Sequence, residues 1–145
     1  LNLVGKNQTK LKDYWSKIPK SYLGLMIPKF PNLFIIQGPG SPSVLTNVPV
    51  QIEQHVEWIT HCISFIELNK KRSIEASLSS AKNWSKEIKK LADASLFMKA
   101  KSSWYKGDNI PGKPKVFIPY PGGLPRYRNI CNKVEKNQYK EFLIK

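Results

Sequence analysis

Apolar residues recur at helical spacing in three parts of the chain. The longest part runs from Val48 to Leu68, where Thr46 or Asn47 can cap the first turn. A second helix is predicted over about residues 79–95 and a third over about residues 124–136. The apolar positions also predict the inward face of the longest helix: Ile52, Val56, Trp58, Ile59, Cys62, Ile63, Phe65 and Ile66.

A continuous apolar run differs from these periodic stretches. Residues 33–36 read Leu-Phe-Ile-Ile between turn residues, which is typical of a strand buried on both faces and hence of a parallel sheet. Further short strands are predicted at residues 1–4 and 115–118. No second strand comparable to residues 33–36 is evident, so we expect its sheet to lie outside this chain. The elements together predict an α+β fold, mainly helical, with a few short strands.

Composition and charge change this picture only a little. The 24 Lys and Arg residues exceed the 10 Asp and Glu residues, for a net charge of +14, which invites a nucleic-acid interpretation. Only Arg72, Arg126 and Arg128 are arginines, and dispersed lysines ordinarily keep a surface soluble, so a nucleic-acid partner is not favoured. No apolar run approaches the ~20 residues of a membrane span. Cys62 and Cys131 favour a reducing, cytoplasmic location over a disulfide framework.

A glycine- and proline-rich turn links the predicted strand to the longest helix. Gly38 and Gly40 match the first two glycines of a dinucleotide-binding fingerprint, but Ser43 occupies the third position. The helix start after this turn can still stabilise negative charge on a ligand. A plain connection between strand and helix explains the glycines equally well, so both interpretations stay open.

Two histidines and a cysteine lie close together on the longest predicted helix. His55, His61 and Cys62 lack the His-x3-His or Cys-x2-Cys spacing of a zinc site, which needs several converging ligands. No serine or cysteine nucleophile pairs evidently with either histidine. We therefore predict no metal site and no catalytic residue in this chain.

The segment around Trp104 combines aromatic residues with a glycine- and proline-rich loop. Ser103, Trp104 and Tyr105 precede residues 107–113, which read Gly-Asp-Asn-Ile-Pro-Gly-Lys. Loops of this kind commonly carry binding residues, and an indole N–H is a hydrogen-bond donor for a ligand. Trp104 is predicted either to meet a ligand or to fill the space beneath the loop as a hydrophobic plug.

Taken together, these segments resemble the C-terminal part of the Baeyer–Villiger flavin monooxygenases, the cyclohexanone and phenylacetone monooxygenase group. The matching strings occur in order and at matching spacing over nearly the whole chain, apart from residues 71–101. They are YLGL at 22–25, FPNLFII at 30–36, GPGSPSVLTN at 38–47, IEQHVEW at 52–58, SWY at 103–105, NIPGKP at 109–114, GG at 122–123 and RYR at 126–128. The resemblance implies a fragment of a flavoprotein with two Rossmann-like dinucleotide-binding domains. In it, residues 1–70 complete the FAD-binding domain and residues 71–145 form a helical, lid and C-terminal segment.

The resemblance also implies an activity and a set of site residues. The family uses FAD, NADPH and O2 to convert ketones to esters or lactones. By resemblance, the cofactor-binding residues are Gly38, Asn47, Val48 and Trp104, and the substrate-pocket residues are Leu45, Thr46 and Ile118. Val48 is expected at the edge of the flavin ring, and Trp104 in the loop that closes over the nicotinamide cofactor.

Several parts of the family pattern are missing from this chain. It contains neither the FAD fingerprint, nor the central Phe-x-Gly-x3-His-x3-Trp-Pro signature, nor the NADPH domain. We therefore expect the isolated chain to be inactive as an enzyme and to bind neither cofactor. Because unpaired strand groups are costly, we expect it to self-associate through residues 33–36 or the apolar surface beside them. A basic helical binding module without catalysis is the alternative function.

Overall fold

The computed structural model describes residues 2–99, 103–107 and 111–145. Within these ranges the regular elements are helices α1 (Leu11–Tyr14), α2 (Val48–Leu68), α3 (Leu78–Asp93) and α4 (Leu124–Lys136), and strands β1 (Ile74–Ala76) and β2 (Phe142–Ile144). Short 3₁₀ turns occupy Lys6–Gln8, Ser43–Leu45, Leu96–Lys99 and Trp104–Lys106. β1 and β2 pair antiparallel, with Glu75 opposite Leu143. The prediction of a mainly helical chain with a few short strands is confirmed.

Local signals in the sequence explain where the long helices begin. Asn47 caps α2, because its Oδ1 accepts from the Val50 N–H at 3.4 Å, and Pro49 fits the first turn. Ser77 caps α3 in the same way, its Oγ accepting from a backbone N–H at 3.0 Å. The three predicted long helices are confirmed, and α2 and α4 have the predicted bounds.

The buried face of α2 matches only part of the apolar face that the spacing predicts. Trp58 and Cys62 are buried as predicted, and Ile59, Phe65 and Ile66 pack partly buried against the core. The buried residues of α2 include three polar ones, Gln51, Gln54 and His55, beside Trp58 and Cys62. The predicted inward residues Ile52, Val56 and Ile63 are 37%, 46% and 43% exposed, so the prediction is wrong for these three. The reason is the neighbouring helix: α2 packs against α4 through Trp58, whose Nε1–H donates to the Cys131 carbonyl at 3.2 Å.

Residues 33–36 do not form the predicted buried strand. In the described part of the chain, an isolated antiparallel bridge joins Phe34 to Met26, and none of the four residues is fully buried. The chain leaves the extended conformation on both sides, because Asn32 and Gln37 have positive φ values of 57° and 56°. The segment therefore continues a local hairpin instead of joining a parallel sheet.

The other two predicted strands are also irregular. Residues 115–118 form no regular strand, and the N–H groups of Val116 and Ile118 donate to carbonyls of the Trp104–Lys106 turn. Near the start of the chain, Val4 forms an isolated antiparallel bridge, and the first residue lies outside the described ranges. The regular sheet instead consists of β1 and β2, whose three-residue lengths are too short for a recognisable alternation.

Aromatic rings hold the long helices together. Trp84 of α3 stacks on Tyr120, with ring centroids 4.8 Å apart and ring planes 15° apart. The same indole contacts Tyr127 of α4 at 6.2 Å. On α2, Trp58 meets Tyr139 edge-on at 5.3 Å. Because such rings bury large apolar areas in specific geometries, they position the helices relative to Tyr120 and the segment before it.

Candidate functional site

The glycine turn, residues 38–47, lies where α3, the segment 115–118 and the start of α2 meet. The Gly40 N–H donates to the Ile118 carbonyl at 3.0 Å. The Trp84 Nε1–H of α3 donates to the Gly40 carbonyl at 2.9 Å. Both polar groups of this residue are therefore paired, and the turn is attached to the buried aromatic cluster.

Close packing explains both glycines of this turn. A Cβ at Gly38 would lie 2.6 Å from the Gly24 carbonyl oxygen, and one at Gly40 would lie 2.9 Å from Trp84 Nε1. Gly40 also has a φ of +90°, which other residues rarely adopt. These positions are thus required by the fold itself, which favours the plain connection. A contact between Gly38 and a cofactor stays a prediction.

The glycine turn leads directly into α2. After the 3₁₀ turn Ser43–Leu45, Thr46 is extended and Asn47 caps the helix. The predicted site residues Leu45, Thr46 and Val48 are all partly exposed at this helix start. The N-terminus of a helix of 21 residues carries a partial positive charge, which favours a negative charge placed against it.

Ile118 connects the glycine turn to the Trp104 segment. Its carbonyl accepts from the Gly40 N–H, and its own N–H donates to the Tyr105 carbonyl at 2.8 Å. A cavity of about 30 Å³ beneath the turn is lined by Gly40, Trp84 and Ile118, among others. A space of that size holds about one water molecule and not a ketone. This cavity is therefore not a substrate pocket.

Trp104 lies on the surface and not beneath its loop. Its side chain is 56% exposed and packs against the ring of Tyr105, with centroids 4.2 Å apart. Phe117, which is 4% exposed, fills the space below and contacts Tyr105 at 6.0 Å. The plug alternative is therefore wrong for Trp104. Residues 108–110 of the predicted binding loop lie outside the described residues.

His55 of α2 lies directly behind the glycine turn. Its Nδ1 accepts from the Gln37 N–H at 3.1 Å, and its Nε2 lies 2.9 Å from the Tyr127 hydroxyl oxygen. That hydroxyl donates to the Leu23 carbonyl at 2.5 Å. The ring is fully buried, and burial lowers the pKa of His55 from 6.5 to about 4. His55 is therefore neutral at physiological pH and bonded through both nitrogens.

The sequence interpretation rejected His55 as a metal ligand and as the partner of a nucleophile, but it did not predict this network. A signal was present, because Gln51 and His55 are one helical turn apart and Trp58 shares their face. Polar side chains beside a large aromatic residue indicate a buried polar network when that face turns inward. Tyr127 could not be linked to His55 from spacing, since the two residues lie on different helices.

Other titratable groups give no further site. Among the described residues, no group of three or more His, Cys, Asp and Glu side chains could hold a metal ion. Cys62 and Cys131 are free and buried, and burial raises the pKa of each thiol to about 12, which makes them poor nucleophiles. Of the helices in the described ranges, none has the length and apolar character that a bilayer crossing requires.

Comparison with curated proteins gives relatives over the whole chain, although no protein-family model matches it. The chain is 38% identical to a cyclohexanone 1,2-monooxygenase of Acinetobacter sp. over 142 residues, which are 98% of this chain and 26% of that protein. It is 36% identical to a Baeyer–Villiger monooxygenase of Pseudooceanicola batsensis over 143 residues, again 26% of the relative. The chain thus spans about a quarter of the length of these relatives.

Solved structures agree with these relatives. The cyclohexanone monooxygenase of Rhodococcus sp. Phi1 bound to NADP+ matches 100% of this chain and 27% of that protein, with a TM-score of 0.93 and 36% identity. An oxidised steroid monooxygenase bound to NADP matches 99% of this chain, with a TM-score of 0.90 and 38% identity. Sequence and structure therefore agree that this chain belongs to the Baeyer–Villiger monooxygenase family, and that it corresponds to about a quarter of the length of the relatives it matches.

Proposed function

We propose that this chain is the C-terminal segment of an FAD- and NADPH-dependent Baeyer–Villiger monooxygenase. The reaction consumes a ketone, O2, NADPH and a proton. One oxygen atom enters the bond beside the carbonyl to give an ester or lactone, and the other leaves as water. The observation that carries this proposal is the match over the whole chain, at 38% identity with one relative and a TM-score of 0.93 with another.

The start of α2 fits a position against the flavin ring. When bound, FAD supplies the chemistry that activates O2. Val48 and the cap residue Asn47 begin a long helix whose positive end favours the negative charge of a reduced flavin. Residues 1–70 would complete the FAD-binding domain, and residues 71–145 would form the helical, lid and C-terminal part.

The substrate and nicotinamide contacts are assigned to different residues. Leu45, Thr46 and Ile118 are uncharged and would form part of a wall for neutral ketones, since a buried carboxylate without a partner is heavily penalised. Trp104 is exposed, which leaves its indole accessible to NADPH. Gly38 would contribute backbone and not side-chain contacts to the cofactor.

The isolated chain is proposed to be inactive and to bind neither FAD nor NADPH. In support, the chain spans only 26% of the length of the cyclohexanone 1,2-monooxygenase of Acinetobacter sp.. Titration of the 145-residue chain with FAD, followed by flavin fluorescence, should give no saturable quenching. Saturable binding would contradict this part of the proposal.

A chimera tests the function directly. The matching quarter of the Acinetobacter cyclohexanone monooxygenase is replaced with this chain, and the product is tested for bound FAD and for ketone-dependent NADPH oxidation. We expect FAD to be retained and a lactone to form from cyclohexanone or another cyclic ketone. A folded chimera that binds FAD and oxidises NADPH, yet forms no ester or lactone from a panel of ketones, would overturn the proposal.

Association and location complete the proposal. We propose that isolated chains self-associate. Residues 33–36 do not form the unpaired strand that was expected to mediate this contact, so the exposed face of α2 is the proposed contact surface. Ile52, Val56 and Ile63 are exposed on that face.

We also propose a cytoplasmic location, because Cys62 and Cys131 are both free thiols.

A further inference from the structure

The hydrogen bonds around His55 determine which ring nitrogen carries the proton. The Gln37 backbone N–H can only donate, so His55 Nδ1, at 3.1 Å, must be the unprotonated acceptor. A neutral imidazole carries one proton, which therefore resides on Nε2. The Tyr127 hydroxyl uses its hydrogen for the Leu23 carbonyl, so its oxygen is free to accept from Nε2–H at 2.9 Å.

The side-chain amide of Gln51 is compatible with this tautomer when its oxygen, and not its nitrogen, faces the His55 ring. As placed, Gln51 Nε2 lies 3.2 Å from His55 Nε2, which would bring two donors together. Gln51 Oε1 is buried and has no hydrogen-bond partner among the described atoms. Exchanging the amide oxygen and nitrogen removes the contact between two donors, because Oε1 then shares the single His55 Nε2–H proton with the Tyr127 oxygen.

We propose that His55 is a positioning residue that, as its Nε2–H tautomer, holds the backbone of Gln37 at the entrance to the glycine turn. Gln37 has a φ of 56°, an uncommon conformation for a residue other than glycine. Its side-chain amide also donates to the Val48 carbonyl at 3.3 Å. One residue thus joins the entrance of the turn to the start of α2.

The network extends across three parts of the fold. Tyr127 lies on α4, His55 on α2, and Leu23 in the hairpin that packs against residues 33–36. His55 is fully buried and bonded through both nitrogens, so it acts through the backbone of the turn and touches no ligand. Its relevance to the flavin rests on the proposed function, whereas the bonding arrangement does not.

Two substitutions of His55 distinguish the contribution of its Nδ1 from that of its Nε2. His55→Asn keeps an acceptor near the position of Nδ1, and His55→Gln keeps a donor near the position of Nε2. His61→Asn is the matched control, because His61 lies on the same helix with its side chain 59% exposed. In the 145-residue chain, we expect exchange of the Gln37 amide to accelerate about tenfold in His55→Gln, and to change little in His55→Asn or the control.

The unmodified chain provides a measurement that needs no variant to fold. Two-dimensional ¹H–¹⁵N NMR of the histidine ring should show His55 protonated at Nε2 alone. A proton on Nδ1, or unchanged Gln37 exchange in a folded His55→Gln chain, would overturn the proposal. Loss of FAD binding or of product in the chimera, with these signals intact, would instead count against the proposed function.

Discussion

His55 is fully buried, and burial lowers the pKa of its ring from 6.5 to about 4. Below pH 6.5 the unfolded chain therefore binds a proton that the folded chain does not, so stability rises with pH across this range. We expect the free energy of unfolding to fall by about 3 kcal/mol between pH 6.5 and pH 4 through this residue. Urea unfolding at a series of pH values measures this loss.

The carboxylates of the chain also titrate at low pH, so the comparison must be with a variant. In His55→Gln the extra loss between pH 6.5 and pH 4 should disappear, while the contribution of the carboxylates remains. Parallel pH profiles for the two chains would contradict the assignment of a neutral, buried His55.

Gly40 illustrates how a single residue supports the turn. Its φ of +90° opposes a side chain, and so does Trp84 Nε1, which would lie 2.9 Å from an added Cβ. Gly112 has a similar φ of +77° but nothing within 4 Å. We expect Gly112→Ala to cost about 1 kcal/mol from backbone strain alone, and Gly40→Ala to cost at least about 2 kcal/mol. Equal losses in denaturant unfolding would show that the contact with Trp84 is unimportant.

At the scale of elements, the exposure of α2 is the reverse of what residue polarity alone suggests, because polar residues are buried on one face and apolar residues are exposed on the other. Its partly polar face is buried against α4, whereas Ile52, Val56 and Ile63 on its apolar face remain partly exposed. A stripe of this kind is unfavourably hydrated in the isolated chain, so association that covers it is favourable. The helix therefore carries the proposal that isolated chains self-associate.

Sedimentation equilibrium over micromolar concentrations tests this association. The unmodified chain should show a concentration-dependent dimer, and Val56→Lys should weaken it about tenfold or more by placing a charge in the contact. Leu78→Lys, at a 60% exposed position on α3, is the control and should not change it. A strictly monomeric unmodified chain would contradict the proposal.

The bounds of the helices were predictable because their signals are local. Asn47 and Ser77 cap helices with their own side chains, and each bond spans only one helical turn. The strands were not predictable for the opposite reason. β1 and β2 are three residues long and far apart in sequence, so their pairing depends on how the chain folds between them.

At the scale of the whole molecule, the roles of Trp104 and Leu45 should separate in the chimera. Trp104 is exposed beside the segment that ends at Ile118, whereas Leu45 lies at the start of α2. Trp104→Ala should raise the KM for NADPH about tenfold, through the lost indole contact, and leave the preference among ketones unchanged. Leu45→Ala should do the reverse. Initial rates with a ketone panel measure both.

Trp104→Phe refines this test, because it keeps an aromatic ring and removes the indole N–H. If the N–H is the group that meets the cofactor, this variant should resemble Trp104→Ala. A changed ketone preference with normal NADPH kinetics in either Trp104 variant would contradict the assignment.

The sequence by itself determined the features that depend on neighbouring residues: the three long helices and the Asn47 cap of α2. Its ordered strings also indicated the family. Tertiary structure alone decided which face of α2 is buried, that residues 33–36 continue a hairpin, and that His55 meets Gln37 and Tyr127. The physical reason is that capping and φ preferences act within a few residues. The burial of a face depends on what packs against it from distant parts of the chain.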